Sequence, residues 1–300
     1  MKRLFLPLLA LLLALSGCQA PAPQESGWNV AATTYPVYLL ARELTAGVDG
    51  VTATAVIRQP TSCLHDYTLT MNDMKALERA DVIAVNGAGL EDFLEDALEG
   101  RTVIDCSLGV ELLASDGHDH HAGEAHDHGD HDPHIWMDPD RYLQMADNLC
   151  ASLSALDPEH ADAYAQNLDR LREELTQAAR EWRQALEGLS CRRLITFHDG
   201  FAYFAQAFDL ELLAAIEEEE GSEASAKEIV EIVALVEEYR LPSIFVEVNG
   251  SDATAEAISR ECGVAVHPLS MLMSGPDDGS EATYRALMQR NIDTLLEALG

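Results

Sequence analysis

Apolar positions along the chain switch repeatedly between two periods. Short runs of β-branched and small residues at Val30–Thr33, Val51–Val56, Val82–Val85 and Val103–Asp105 read as strands. Between them, apolar residues recur every three or four positions at Val37–Leu44, Thr70–Ala80 and Leu90–Leu98, which predicts helices. A second set repeats the alternation. Leu194–Thr196, Leu212–Ala215, Ser243–Val248 and Val264–Val266 are its strands, and Gly200–Phe208, Ala226–Tyr239, Ala253–Glu261 and Thr283–Leu299 its helices. Arg141–Ala155 is also helical, and a longer pattern follows from Pro158 to Leu189. Asp157 stands there as a cap and Pro158 at the first position, where its missing N–H costs nothing. Roughly 30 residues of helix would reach about 45 Å at 1.5 Å per residue. That length suits a rigid strut between two halves. Alternating strands and helices imply mainly parallel sheets flanked by helices. The expected fold is therefore α/β: two lobes joined by one long rigid helix, with a cleft where the carboxyl ends of the strands face each other.

Three stretches fall outside this pattern. Leu4–Leu15 is almost unbroken apolar sequence behind Lys2 and Arg3, shorter than the ~20 residues a bilayer span needs. It has the form of a secretory signal, residues 1–17. The run ends Leu15-Ser16-Gly17-Cys18, which resembles a bacterial lipobox; the resemblance implies cleavage before Cys18 and acylation of its sulfur. Residues 18–27, rich in Pro, Ala and Ser, read as a flexible tether. Residues 117–132 are low-complexity His, Asp and Gly, unable to bury a core and expected to be disordered. The domains are then an N-terminal lobe at 28–156, a connecting helix at 157–189 and a C-terminal lobe at 190–300.

Charge narrows the ligand class. The formal net charge is −33. Such acidity excludes nucleic acid and electrostatic docking on anionic lipid, and favours cations. Much of it also serves simply as a solubilising surface. Cys63, Cys106, Cys150, Cys191 and Cys262 show no CxxC pairing, so a thiolate metal site is not expected.

Four histidines outside the low-complexity run sit beside predicted strand or helix ends: His65, His134, His198 and His267, two in each half. Imidazole is the common ligand of borderline metals, and four ligands satisfy tetrahedral zinc. Asp66 and Asp199 adjoin two of these histidines, as carboxylates that orient metal-bound imidazoles often do. Glu247 ends the strand before that of His267 and competes with it for the fourth place.

Several segments then resemble one family. DPHIWMDP at Asp132–Pro139, Ser62–Glu91, FHDGFAYFAQAFDLE at Phe197–Glu211 and Ile244–Ser270 are similar, in the same order, to the cluster A-I solute-binding lipoproteins of metal ABC transporters. The similarity runs from about Trp28 to the C-terminus. It implies ligands at His65, His134 and His198. At the position of His267 the family usually carries Asp. It also implies an extracytoplasmic, lipid-anchored protein at the cell membrane, expected to act as a monomer, that captures Zn(II) as its cargo and delivers it to an ABC permease and its ATPase. Zinc-importing members carry similar His-rich loops, so His118, His120, His121, His126, His128 and His131 become a weak metal-collecting set. Three other readings compete. A zinc-dependent hydrolase needs an open coordination position and a general base, and the chain has no HExxH. A manganese- or iron-binding member of the same family would favour harder oxygen ligands than four imidazoles. An adhesin or zinc buffer without a transporter would use the same binding chemistry.

Overall fold

A computed structural model describes residues 27–59, 64, 67–114, 131–216, 225–248, 253–275 and 282–300. The expected leader, Cys18 and most of the tether lie outside these residues. So do Cys63, His65, Asp66, His118, His120, His121, His126 and His128.

The N-terminal lobe runs β1 (Trp28–Ala32), α1 (Tyr35–Leu44), β2 (Val51–Ala55), α2 (Met71–Glu78), β3 (Val82–Val85), α3 (Glu95–Leu98) and β4 (Val103–Asp105). A single 3₁₀ turn at Ile135–Met137 leads into α4 (Pro139–Leu156). The strut is α5 (Ala161–Leu186), preceded by a 3₁₀ turn at Pro158–His160. The C-terminal lobe runs β5 (Arg193–Thr196), α6 (Ala202–Ala207), β6 (Glu211–Ala215), α7 (Ala226–Tyr239), β7 (Ser243–Glu247), α8 (Ala253–Cys262), β8 (Ala265–Leu269) and α9 (Tyr284–Leu299). Both sheets are fully parallel, ordered β2-β1-β3-β4 and β6-β5-β7-β8, so the second lobe repeats the strand order of the first.

Local chemistry fixes where the helices begin. Thr70 and Asp73 form a reciprocal capping box on α2, and Ser225 with Glu228 does the same on α7. The Asp138 carboxylate accepts from the Asp140 N–H at 2.8 Å, with Pro139 in the first helical position of α4. Each such cap is worth about 1 kcal/mol.

The strut works as the sequence predicts, though it is a little shorter. Tyr164, Leu171, Leu175, Ala178, Trp182 and Leu186 are buried along one face of α5. Its 26 residues span about 39 Å. Near its start the Asn167 side chain donates to the carbonyls of Leu44 (2.7 Å) and Ala46 (3.0 Å), closing the end of α1. Near its end Trp182 Nε1 donates to Gln289 on α9 at 2.8 Å. One helix thus holds both lobes by polar contacts near its opposite ends.

A single continuous core runs through the N-terminal lobe and α5 and into one face of the C-terminal sheet, at Leu194, Phe201, Phe204, Phe245, Leu269 and Met271. A separate, smaller core lies on the other face of that sheet. Ile195, Phe197 and Ile244 meet Ile232, Val236, Ala255 and Ile258 from α7 and α8 there. Leu194 and Ile195 fall in different cores because successive strand residues face opposite sides. Among the described residues no helix is long and apolar enough to cross a membrane, and Cys106, Cys150, Cys191 and Cys262 are free.

Candidate metal site between the lobes

His134 precedes the 3₁₀ turn and is 6% exposed. Its ring Nδ1 lies 2.7 Å from Asp132 Oδ1, and its backbone N–H donates to the same oxygen at 2.8 Å. A carboxylate at Nδ1 puts the ring proton there, so Nε2 is the nitrogen that would take a metal. Asp132 is itself buried, and its carbonyl accepts from the Tyr203 hydroxyl at 2.8 Å. Between them, the Pro133 carbonyl accepts from Asn86 Nδ2 at 3.0 Å. Asn86 is set in turn by Glu91, whose carboxylate takes the N–H groups of Asn86 (2.7 Å) and Gly87 (3.0 Å) and the Thr33 hydroxyl (2.6 Å). Burial pushes the Glu91 carboxyl up to about 7 against the lowering effect of those three bonds.

His198 follows β5, and its carbonyl accepts from Thr196 Oγ1 at 3.1 Å. Its ring meets that of His134 edge to face, centroids 5.5 Å apart at 89°. Two imidazoles on one tetrahedral zinc, with Zn–N of about 2.0–2.1 Å, put their centroids roughly 5 Å apart, so the pair has the spacing the ion requires. Gly200 allows the approach. A Cβ there would stand 2.1 Å from Met271 Cε and 3.1 Å from His134 Cδ2.

The remaining candidates sit as follows. His267 lies inside β8, two residues before its end, where the sequence suggests a strand stopping at Val266. It pairs with Phe245, and the two rings lie 6.3 Å apart. Pro268 does not end the strand because β8 is the sheet edge, where a missing N–H is tolerated. Glu247 ends β7, two residues beyond Phe245. Thr196, the last residue of β5, pairs with the same Phe245, so Glu247 and His198 each lie two residues beyond that pair along the chain. His267 stands one repeat lower, about 6.6 Å at 3.3 Å per residue. Glu247 is 5% exposed, with Oε2 buried and without a hydrogen-bond partner, and burial raises its carboxyl to about 8. Asp199 is half-buried beside His198. Among the described residues, no three His, Cys, Asp or Glu side chains gather closely enough to hold a metal by themselves. The structure brings His134 and His198 together with Asp132.

Sequence reading places His131 and Asp132 in the low-complexity segment. Both are instead ordered: His131 forms an antiparallel bridge with Ala114, and the Asp132 N–H donates to the Leu113 carbonyl at 3.0 Å. Residues 113–114 and 131–132 therefore lie side by side, next to the candidate site. Asp132 is also the supporting carboxylate that sequence reasoning misses. Its signal is Asp-Pro-His, in which the acid two residues back turns onto the histidine.

Comparison with known proteins follows the same lines. The family model described as zinc-uptake complex component A, periplasmic (ZnuA), matches residues 30–298. The zinc-binding lipoprotein AdcA of Streptococcus pneumoniae is 27% identical over 311 residues, covering 98% of this chain and 60% of the relative. The zinc-binding protein AdcA of Streptococcus pyogenes is 27% identical over 291 residues, covering 90% of this chain and 56% of the relative. The chain thus spans 56–60% of the length of these curated relatives. The manganese-binding lipoprotein MntA of Halalkalibacterium halodurans is 26% identical over 246 residues, covering 79% of this chain and 77% of the relative. Among solved structures, that of ZnuA superposes with a TM-score of 0.76 at 26% identity, covering 91% of this chain and 100% of the other. The laminin-binding protein Lmb of Streptococcus agalactiae, described as bifunctional with adhesin and metal transporting activity, superposes at 0.77 and 26% identity, covering 91% of this chain and 100% of the other.

Proposed function

The chain belongs to the family of zinc-uptake complex component A, and from that premise we propose that it captures Zn(II) between its lobes and delivers it to an ABC permease and its ATPase. The observation that carries this reading is the pair His134 and His198, from different lobes, 5.5 Å apart with Asp132 behind the first ring. His65 supplies the third imidazole, as the motif around it implies. For the fourth place Glu247 is better positioned than His267. It follows the strand pair from which His198 also follows, and its buried carboxylate would offset charge that four neutral imidazoles would leave uncompensated. Before metal arrives, burial favours the protonated acid, so capture through Glu247 releases a proton.

Three imidazoles favour zinc over manganese, which prefers oxygen. One carboxylate softens that preference and leaves room for the manganese-binding alternative. A zinc hydrolase is set aside on the family, whose model describes a zinc-uptake component, and on Asp132, which is committed to the ring and the backbone of His134. The leader and Cys18 support a lipid-anchored protein on the extracytoplasmic face, and the His-rich segment a collecting role. The test is zinc titration of the chain with residues 115–130 removed but Asp132 kept. One tight equivalent should survive, disappear in His134→Ala and His198→Ala, and exceed manganese binding. A deleted chain without a tight site, or alanine variants that keep it, would refute the reading.

A further inference from the structure

Tyr203 lies five residues after His198, in the first turn of α6, and its ring is fully buried. Its hydroxyl reaches across the lobe boundary with both of its bonding capacities. It donates to the Asp132 carbonyl at 2.8 Å and accepts from the Leu113 N–H at 2.9 Å. The ring face is held by the Arg141 guanidinium at 4.9 Å, itself bonded to the Glu111 carbonyl at 3.0 Å and to Asp138. One phenol therefore ties the segment that carries His198 to the residue whose carboxylate orients His134. The same hydroxyl ties both to the 111–114 stretch paired with Asp132.

We propose that Tyr203 is a positioning residue of the metal site, setting the spacing of His134 and His198 across the lobe boundary before any metal arrives. The proposal rests on the zinc-binding reading above. A zinc ion accepts only a narrow range of ligand distances, so a prearranged imidazole pair spares the ion the cost of gathering it. If the hydroxyl is lost, Leu113 N–H loses its partner and the Asp132 backbone its tie to α6, while the packing of the ring stays. The loss should then show in metal binding more than in folding.

The experiment compares the full chain with Tyr203→Phe and with Leu175→Ala, a core truncation on α5 far along the chain from the site. Three quantities are read: zinc affinity by chelator competition, the zinc-induced rise in melting temperature, and the visible spectrum of the Co(II)-loaded protein. Tyr203→Phe is expected to bind zinc about 10-fold more weakly, in the range seen when the partners behind a ligand are lost. Its zinc-induced stabilisation should shrink and its cobalt bands shift. Leu175→Ala should melt earlier without metal yet keep the parental affinity and cobalt spectrum. A Tyr203→Phe protein with parental affinity and spectrum overturns the proposal alone, as does an equal loss of affinity in both variants. A parent chain that takes up neither zinc nor cobalt overturns the zinc-binding reading, and this proposal with it.

Discussion

At the scale of single residues the chemistry turns on carboxylates more than on histidines. Asp132→Asn should weaken zinc by about 10-fold or more, because an amide at that place no longer fixes the His134 tautomer as a carboxylate does; chelator competition measures it, and parental affinity would remove Asp132 from the site. Glu247→Gln and His267→Ala separate the two claimants to the fourth place. The first is expected to cost more zinc affinity than the second, and the reverse order would return the ligand to His267. Glu91 supplies a pH signature in the metal-free protein. Its folded value near 7 stands above an ordinary 4.5. The folded state therefore holds this proton more tightly than the unfolded chain does. The resulting stability is fully present below about pH 4.5 and is lost as pH rises through about 7. Glu91→Gln should flatten that slope. It should also cost about 1–3 kcal/mol near neutrality, since the new amide turns a donor toward the Gly87 N–H. Denaturant melts of both proteins from pH 4.5 to 8 decide it. His198, just after β5, is legible from residue type and position, whereas His267 lies inside β8 and His65 outside the described residues. Asp132 was hidden because the carboxylates that attract notice, Asp66 and Asp199, are the ones beside a histidine in sequence, whereas the acid that bonds a ring stands two residues away across a proline turn.

At the scale of elements, the two hydrophobic periods place nearly every strand and helix, because the strands are short and parallel, the central ones buried, and the helices carry a single apolar face. What periodicity does not carry is level along a sheet. Whether a residue faces the cleft depends on register with its neighbour: β7 and β8 pair so that Glu247 meets Leu269 while His267 meets Phe245. No pattern within either strand announces that offset. The connection from β5 to α6 has a similar hidden requirement at Gly200, where Met271 and His134 crowd the space a methyl would take. Gly200→Ala should cost about 1–3 kcal/mol, as overpacking does, and should displace the His134 ring. Reduced zinc affinity together with an earlier melt is the expected result, and an alanine variant equal to the parent in both would show that Met271 alone absorbs the methyl.

At the scale of the whole molecule, the lobes behave as parts of one body. Trp136 Nε1 donates to the Met271 carbonyl and Tyr284 donates to the Trp136 carbonyl, both at 2.8 Å, and the main core passes unbroken beneath them. With α5 free of internal Pro and Gly, no hinge is provided. Small-angle scattering should therefore show nearly the same radius of gyration with and without zinc, and a marked compaction on loading would contradict a rigid frame. Zinc at about 100 times its dissociation constant should still add about 2.7 kcal/mol to the folded state by mass action, read as a later melt. The twin strand order of the lobes hides one asymmetry, the small second core under α7 and α8. Helix α7 buries only Ile232 and Val236 fully, and Val230 stands 68% exposed. This outer layer is a thin veneer on the far side of the C-terminal sheet from the main core. In deuterated water its amides should exchange first among the described helices, in a partial opening that leaves the strut and the His134 turn protected. Among the described elements, a protease offered the native protein would then find its first purchase there, on the side of the sheet that holds none of the main core.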